Sequence, residues 1–234
     1  MACRAGDFSG TVELLELMEP RTDDMLSRAC GLLLGDAGTS LAIRQVADFV
    51  RARFAALDPF GLDNALAIAD ALSTDGNLNF VTDILETLEW NLASDDSLII
   101  ALHLSRMLEP RWGLIAENPT EQDDFRAYRE LVSENVDTFR NKFGATARIF
   151  MAQPSNPYTT ARLIIGHQGS TDFEEAAQVQ LRRRFEAETG IDCTAFFSEG
   201  LFQPLHAATI TESFLQDNKP YEAGAKYFFG HRVP

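Results

Sequence analysis

Apolar residues in the first 144 positions recur at helical spacing. From 39 to 57, Ile43, Val46, Val50, Phe54 and Leu57 fall three or four residues apart, which predicts one helix with a single buried face. Asp58-Pro59 closes it, because the proline ring disfavours helical geometry in the residue before it. Leu62, Ala65, Leu66, Ala69 and Leu72 predict a second helix over 62–73, ended by the turn residues Asp75-Gly76-Asn77. Leu78, Val81, Leu85, Leu88 and Leu92 predict a third over 78–92.

The stretch 97–108 differs. Leu98, Ile99, Ile100, Leu102, Leu104, Met107 and Leu108 cover every side of a helix, the pattern of a central element. Phe125, Tyr128, Val132, Val136, Phe139 and Phe143 then stripe a long helix over 120–143, with Gly144 placed to cap it. Short turns between such helices predict a bundle or stacked helical pairs.

Beyond Gly144 the pattern shortens. Ala147–Ala152 and Ala161–His167 are brief apolar runs bounded by Pro, Asn and Gly, and they predict strands. A helix capped by Ser170 or Thr171 and ended at Gly190 follows, then a strand over 192–198, a helix over 205–217 and a last strand over 226–233. The expectation is an α+β chain: an all-helical domain over 1–144, then a β-β-α-β-α-β domain over 145–234 with helices on one face of a small sheet.

Composition adds constraints. Apolar residues make up 45% of the chain and include 17 phenylalanines, enough for a core without a metal or disulfide. Cys3, Cys30 and Cys193 are odd in number and widely spaced, which predicts neither a disulfide framework nor a zinc site. The N-terminal MACRAGDFSG lacks a signal-peptide core, and no apolar run approaches the roughly 20 residues that span a bilayer. A soluble, cytoplasmic protein is expected.

Charge changes the picture more. The formal net charge is −15, and residues 1–144 carry most of it, with 25 acidic against 12 basic side chains. Between Arg53 and Arg106 no Lys or Arg occurs, while Asp58, Asp63, Asp70, Asp75, Asp83, Glu86, Glu89, Asp95 and Asp96 do. A surface of that kind repels nucleic acid and anionic membrane and attracts cationic proteins. On the helical wheel of 78–92, Trp90 falls opposite the apolar stripe between Asp83 and Glu86, as an interface anchor would. The alternative is that Trp90 packs against a further helical layer.

The expected partner is therefore a basic protein, with Asp83, Glu86, Glu89, Trp90, Asp95 and Asp96 as the binding residues. An inhibitor, an immunity protein or an adaptor fits, with no cofactor, metal or catalytic residue. The competing expectation is a small enzyme or ligand-binding domain in 145–234. It would use His167, His206 and His231, converging with Cys193 and Glu199. His103, inside the all-apolar helix, reads as a hydrogen-bonded core residue. Ile165–Thr171 passes through two glycines into a helix start, which suits either a phosphate or an ordinary turn. Arg182-Arg183-Arg184, the only basic cluster, points three ways around a helix; it serves local pairing or docking onto the acidic region.

Overall fold

The computed structural model describes residues 2–18, 24–56, 64–109, 122–166, 172–217, 219–222 and 224–234. It is 72% helical with a few small antiparallel strand pairs, a helix-rich α+β chain. Its contacts divide it into two compact units. One comprises Phe8–Pro154 with Pro234, the other Met1–Asp7 with Ser155–Val233.

In the helical unit a 3-10 segment, Ser9–Met18, precedes α1 (Asp24–Ala37), α2 (Ser40–Ala56), α3 (Ala65–Asp75), α4 (Val81–Trp90), α5 (Asp96–Leu108) and α6 (Gln122–Phe143). Ile43, Val46 and Val50 of α2 are buried as their spacing predicts, and so are Phe125, Tyr128, Val132, Val136 and Phe139 of α6. Leu57, Asp58-Pro59 and Leu62 lie outside the described residues. Glu109 adopts the extended backbone expected of a residue before proline. Gly76 and Gly144, both left-handed, donate their N–H groups to Leu72 and Arg140 and finish α3 and α6.

The central helix is α3 rather than α5. It packs against α1, α2, α4 and α5, and every residue from Ala67 to Asp75 is buried. Small side chains make this possible. Gly31 and Gly35 of α1 face α3, where an added Cβ would collide with the Ala67 carbonyl oxygen and with Thr74. The two helices therefore meet backbone to backbone. By contrast, α5 leaves Leu98 52% exposed, so its outer side is not covered.

A hairpin, β1 (Ile149–Phe150) with β2 (Gln153–Pro154), completes the helical unit. Its turn residues Met151 and Ala152 both have positive φ. Their N–H groups donate to the carbonyls of Arg106 and Met107 at 2.8 and 3.0 Å, satisfying acceptors that the end of α5 leaves open. Ile149 also bonds Gly76, and Leu78 bonds Ala147. These contacts carry the hairpin with the helices, so the division falls after Pro154 where the sequence suggested Gly144. The carbonyl of Pro234 accepts from Ser40 N–H at the start of α2, 3.1 Å away.

The second unit contains α7 (Pro157–Gly166), α8 (Asp172–Thr189), β3 (Phe197–Ser198), β4 (Leu201–Phe202), α9 (Pro204–Gln216), β5 (Tyr227–Phe228) and β6 (His231–Arg232). Three expectations fail here. Residues 161–166, read as strand, belong to α7. Asn156 accepts from Tyr158 N–H as a cap, Pro157 opens the helix, and Pro157, Thr160, Ala161 and Ile164 form its buried face. The 192–198 stretch is a 3-10 turn, Thr194–Phe196, leading into β3. The last strand is a hairpin. Among the described residues the strands form separate two-stranded pairs, with no shared sheet.

The β5–β6 turn repeats the device seen at α5. Phe229, with positive φ, and Gly230 donate to Ala187 and Glu188 at 2.6 and 2.9 Å and finish α8. Phe185, Phe214, Tyr158, Tyr221 and Tyr227 pack ring against ring around this unit's core. Arg4 lies over the Phe229 ring at 4.6 Å, and Gly6 sits against the His231 imidazole.

Candidate functional site

Three of the seven described acids of the base-free window, Asp70, Asp75 and Asp83, are buried. Asp83 is only 1% exposed, and Arg51 of α2 grips it bidentately, Nε to Oδ1 at 2.7 Å and Nη2 to Oδ2 at 2.8 Å. Burial pushes the Asp83 carboxyl up from its ordinary value, and the Arg51 hydrogen bond pulls it back. Asp70 is held by Arg28 of α1 at 3.0 Å, and Asp75 by Arg148 at 3.4 Å. The three cations come from outside the window, which is why a linear charge count placed these carboxylates on the surface.

Trp90 does not stand free opposite the stripe. Asp83, Thr87 and Trp90 share the face of α4 turned to α2, where Trp90 stacks on Phe54 with ring centroids 5.3 Å apart and planes at 25°. Asp83 and Thr87 are buried, so α4 is covered on two sides. Glu89 pairs with Arg129 of α6 at 3.0 Å. Glu86 is half-buried. Burial raises its carboxyl, the nearby Asp83 adds to that, and its Oε2 has no hydrogen-bond partner. Asp95 is exposed and Asp96 half-buried at the start of α5, where the helix dipole favours negative charge. Of the six residues singled out from sequence, Asp95 alone is fully presented to solvent.

The outer face of α6 carries an exposed run of acidic residues. Glu130, Leu131, Glu134 and Asp137 fall within an arc of about 120° at helical spacing, and all four are exposed, Leu131 by 44%. Asp137 is bridged by Arg140 at 3.4 Å, while the Glu130 and Glu134 carboxylates have no ion-pair partner among the described residues.

Of the three histidines expected in the second unit, two are described. His167 lies outside the described residues, together with Gln168–Thr171, and Ile165-Gly166 ends a helix where strand was expected. His206, in the first turn of α9, and His231, in β6, are both exposed, and no hydrogen bond or ion pair joins them. Cys193 is fully buried, its thiol donates to the Ile191 carbonyl, and burial pushes it up to about 12. A thiol so held is protonated at neutral pH and is no nucleophile. Glu199 sits at the exposed β3–β4 turn.

Two polar networks escaped the sequence. Ser73 Oγ lies 3.0 Å from His103 Nδ1, and His103 Nε2 lies 3.2 Å from Asp70 Oδ1, an approach too bent for a good hydrogen bond. The residue types are those of a serine hydrolase, but the ring nitrogens are exchanged relative to that arrangement. All three side chains are buried, which leaves no route for a substrate. His103 is thus a bonded core residue. The i,i+3 spacing of Asp70 and Ser73 was the one available signal.

In the second unit, Arg184 and Glu188 of α8 pair at 3.0 Å, Arg184 donates to Ser155 Oγ, and Thr160 donates to Glu188 at 2.8 Å. Two of the three neighbouring arginines are paired locally, since Arg182 also reaches Glu186 at 3.7 Å. Among the described residues no cluster of three His, Cys, Asp or Glu is disposed to hold a metal ion, and no helix is long and apolar enough to cross a membrane. Comparison with known proteins finds no family model, no curated protein and no solved structure that matches this chain.

Proposed function

We propose that this chain is a non-catalytic, acidic protein-binding module that engages a basic protein partner. The observation that carries the reading is the exposed α6 face, where Glu130 and Glu134 lie to one side of Leu131. Carboxylates without ion-pair partners among the described residues keep their charge available to an incoming cation, and an exposed leucine beside them supplies apolar area to bury. Charge of this kind raises the encounter rate, and burial of the adjoining leucine slows release. Asp95 and Asp96 extend the negative field at the start of α5, while Asp83, Trp90 and Glu89 serve as internal supports. The net charge of −15 works in the same direction.

The test is retention of cationic proteins on the immobilised chain, eluted by a salt gradient. The native protein is expected to hold a basic partner that leaves as salt approaches 0.5 M, where the Debye length is about 4 Å. Glu130→Lys/Glu134→Lys should lose it, and Asp95→Asn/Asp96→Asn should weaken it less. A partner held equally by native and Lys variants, or one indifferent to salt, overturns the proposal.

A further inference from the structure

Ser9–Met18 is a 3-10 helix of 10 residues. Such helices rarely exceed about four residues, because their hydrogen bonds are poorly aligned and side chains three apart eclipse one another. Burial follows that three-residue repeat. Gly10, Glu13 and Glu16 form an exposed row, while Val12, Leu15 and Met18 form a row along a groove of about 620 Å³ shared with Val46, Phe49 and Ile68. The local sequence favours a different helix. Glu13-Leu14-Leu15-Glu16-Leu17-Met18 consists entirely of strong α-helix formers. Thr11, Leu14, Leu15 and Met18 occupy the i, i+3, i+4 and i+7 positions of one α-helical stripe, with Glu13 and Glu16 opposite it. An α-helix here keeps both glutamates in water, as the 3-10 helix does.

Two fixed ends account for the geometry observed. At one end Thr11 is fully buried, and its hydroxyl donates to the Phe8 carbonyl at 2.9 Å and accepts from Thr39 N–H at 3.5 Å. At the other end Met18 is buried, and its carbonyl accepts from Asn64 Nδ2. Asn64 stands at the N-cap of α3, where asparagine ordinarily accepts from the helix's own free N–H groups, yet it makes no cap hydrogen bond. Its side chain is committed to Met18 instead. From Thr11 to Met18 the axial span is about 14 Å at the 3-10 rise and about 10.5 Å at the α-helical rise. An α-helix between the same anchors falls about 3.5 Å short.

We infer that Ser9–Met18 is a stretched strap with Asn64 as its latch: the two anchored ends hold it as a 3-10 helix, and releasing either lets it wind into an α-helix. The groove supplies the room. Close-packed neighbours block a change of pitch, but Val46, Phe49 and Ile68 stand across open space from the Val12, Leu15 and Met18 row. The device is separate from the α6 face and does not depend on the protein-binding reading.

Nuclear Overhauser contacts in the full chain test this. In the native protein, residues 9–18 should show Hα-to-amide contacts at i,i+2, as 3-10 geometry brings, and none at i,i+4. Asn64→Asp keeps the side chain's shape, removes the donor to Met18 and remains a good N-cap for α3. In that variant the i,i+2 set should be lost, and i,i+4 contacts should appear between Thr11 and Met18. Thr11→Val frees the other end with little change in volume and should act the same way, so the test stands even where the Asp variant folds poorly. Native i,i+4 contacts, or an i,i+2 set that persists in both variants, would overturn the inference. So would loss of both sets in a variant whose other resonances stay native, since the freed segment then has no α-helical state to adopt.

Discussion

Replacing Arg51 with methionine strands a carboxylate. Asp83 is almost wholly buried and relies on the two Arg51 hydrogen bonds at 2.7 and 2.8 Å. Removing one partner of a buried pair costs about 3–5 kcal/mol. The Arg51 side chain is itself 49% exposed, so water already screens part of the pair, and about 2–3 kcal/mol is the expected loss. The pH dependence gives the sharper check. Burial holds the Asp83 carboxyl above its ordinary value, and Arg51 is the group that pulls it down. Without Arg51 it rises further. A carboxyl raised in the folded state contributes stability below its unfolded value of about 4, and that contribution fades as pH climbs through the folded value. The deficit of the variant is therefore greatest near pH 7 and shrinks toward acid. Urea unfolding in a Trp112→Phe background, read by the fluorescence of Trp90 against Phe54, measures it. Arg51→Met/Asp83→Asn should recover part of the loss and all of the pH dependence. A single variant within about 0.5 kcal/mol of native at pH 7, or a deficit that deepens in acid, refutes the reasoning.

Gly31→Ala gains about 1 kcal/mol of helix propensity but drives a Cβ into the Ala67 carbonyl. Overpacking against backbone costs about 1–3 kcal/mol, so net destabilisation is expected in the same urea assay. Gly10→Ala, whose Cβ meets nothing nearer than Glu13 Oε2 at 3.9 Å, should be neutral or mildly stabilising. Iodoacetamide at pH 8 should label Cys3 in the folded protein and spare Cys30 and Cys193, whose thiols burial pushes up. Mass spectrometry reads the pattern, and labelling of Cys193 at the rate of Cys3 contradicts it.

The helices of the first unit were legible because each repeats its apolar spacing over several turns. The 161–166 stretch was not, because Leu163-Ile164-Ile165 is too short a run to carry a period. Its helix is declared instead by Asn156-Pro157, a cap and a first-turn proline that also read as loop. Hairpins with two residues per strand fall below any alternation pattern. Asp83 and Trp90 look exposed in one helix's wheel because their covering partners, Arg51 and Phe54, belong to another helix more than 30 residues earlier. A helical wheel shows where a stripe is; it does not show whether a second neighbour covers the opposite side.

The partition of the chain also bears on how it folds. Residues 1–7 belong with 155–233, so Arg4 and Gly6 must find Phe229 and His231 across the whole length of the helical unit. In an unfolded chain, closing a loop of roughly 150 residues costs about 4 kcal/mol of entropy. Once residues 8–154 have folded, that loop is a rigid insert whose two ends sit at a fixed separation, and most of the search is already over. A helical unit that forms before the other therefore spares it most of that closure entropy. Cutting the chain between Pro154 and Ser155 would leave the helical unit nearly intact but deprive its neighbour of its N-terminal seven residues, so the two units are compact without being separable by a single cut.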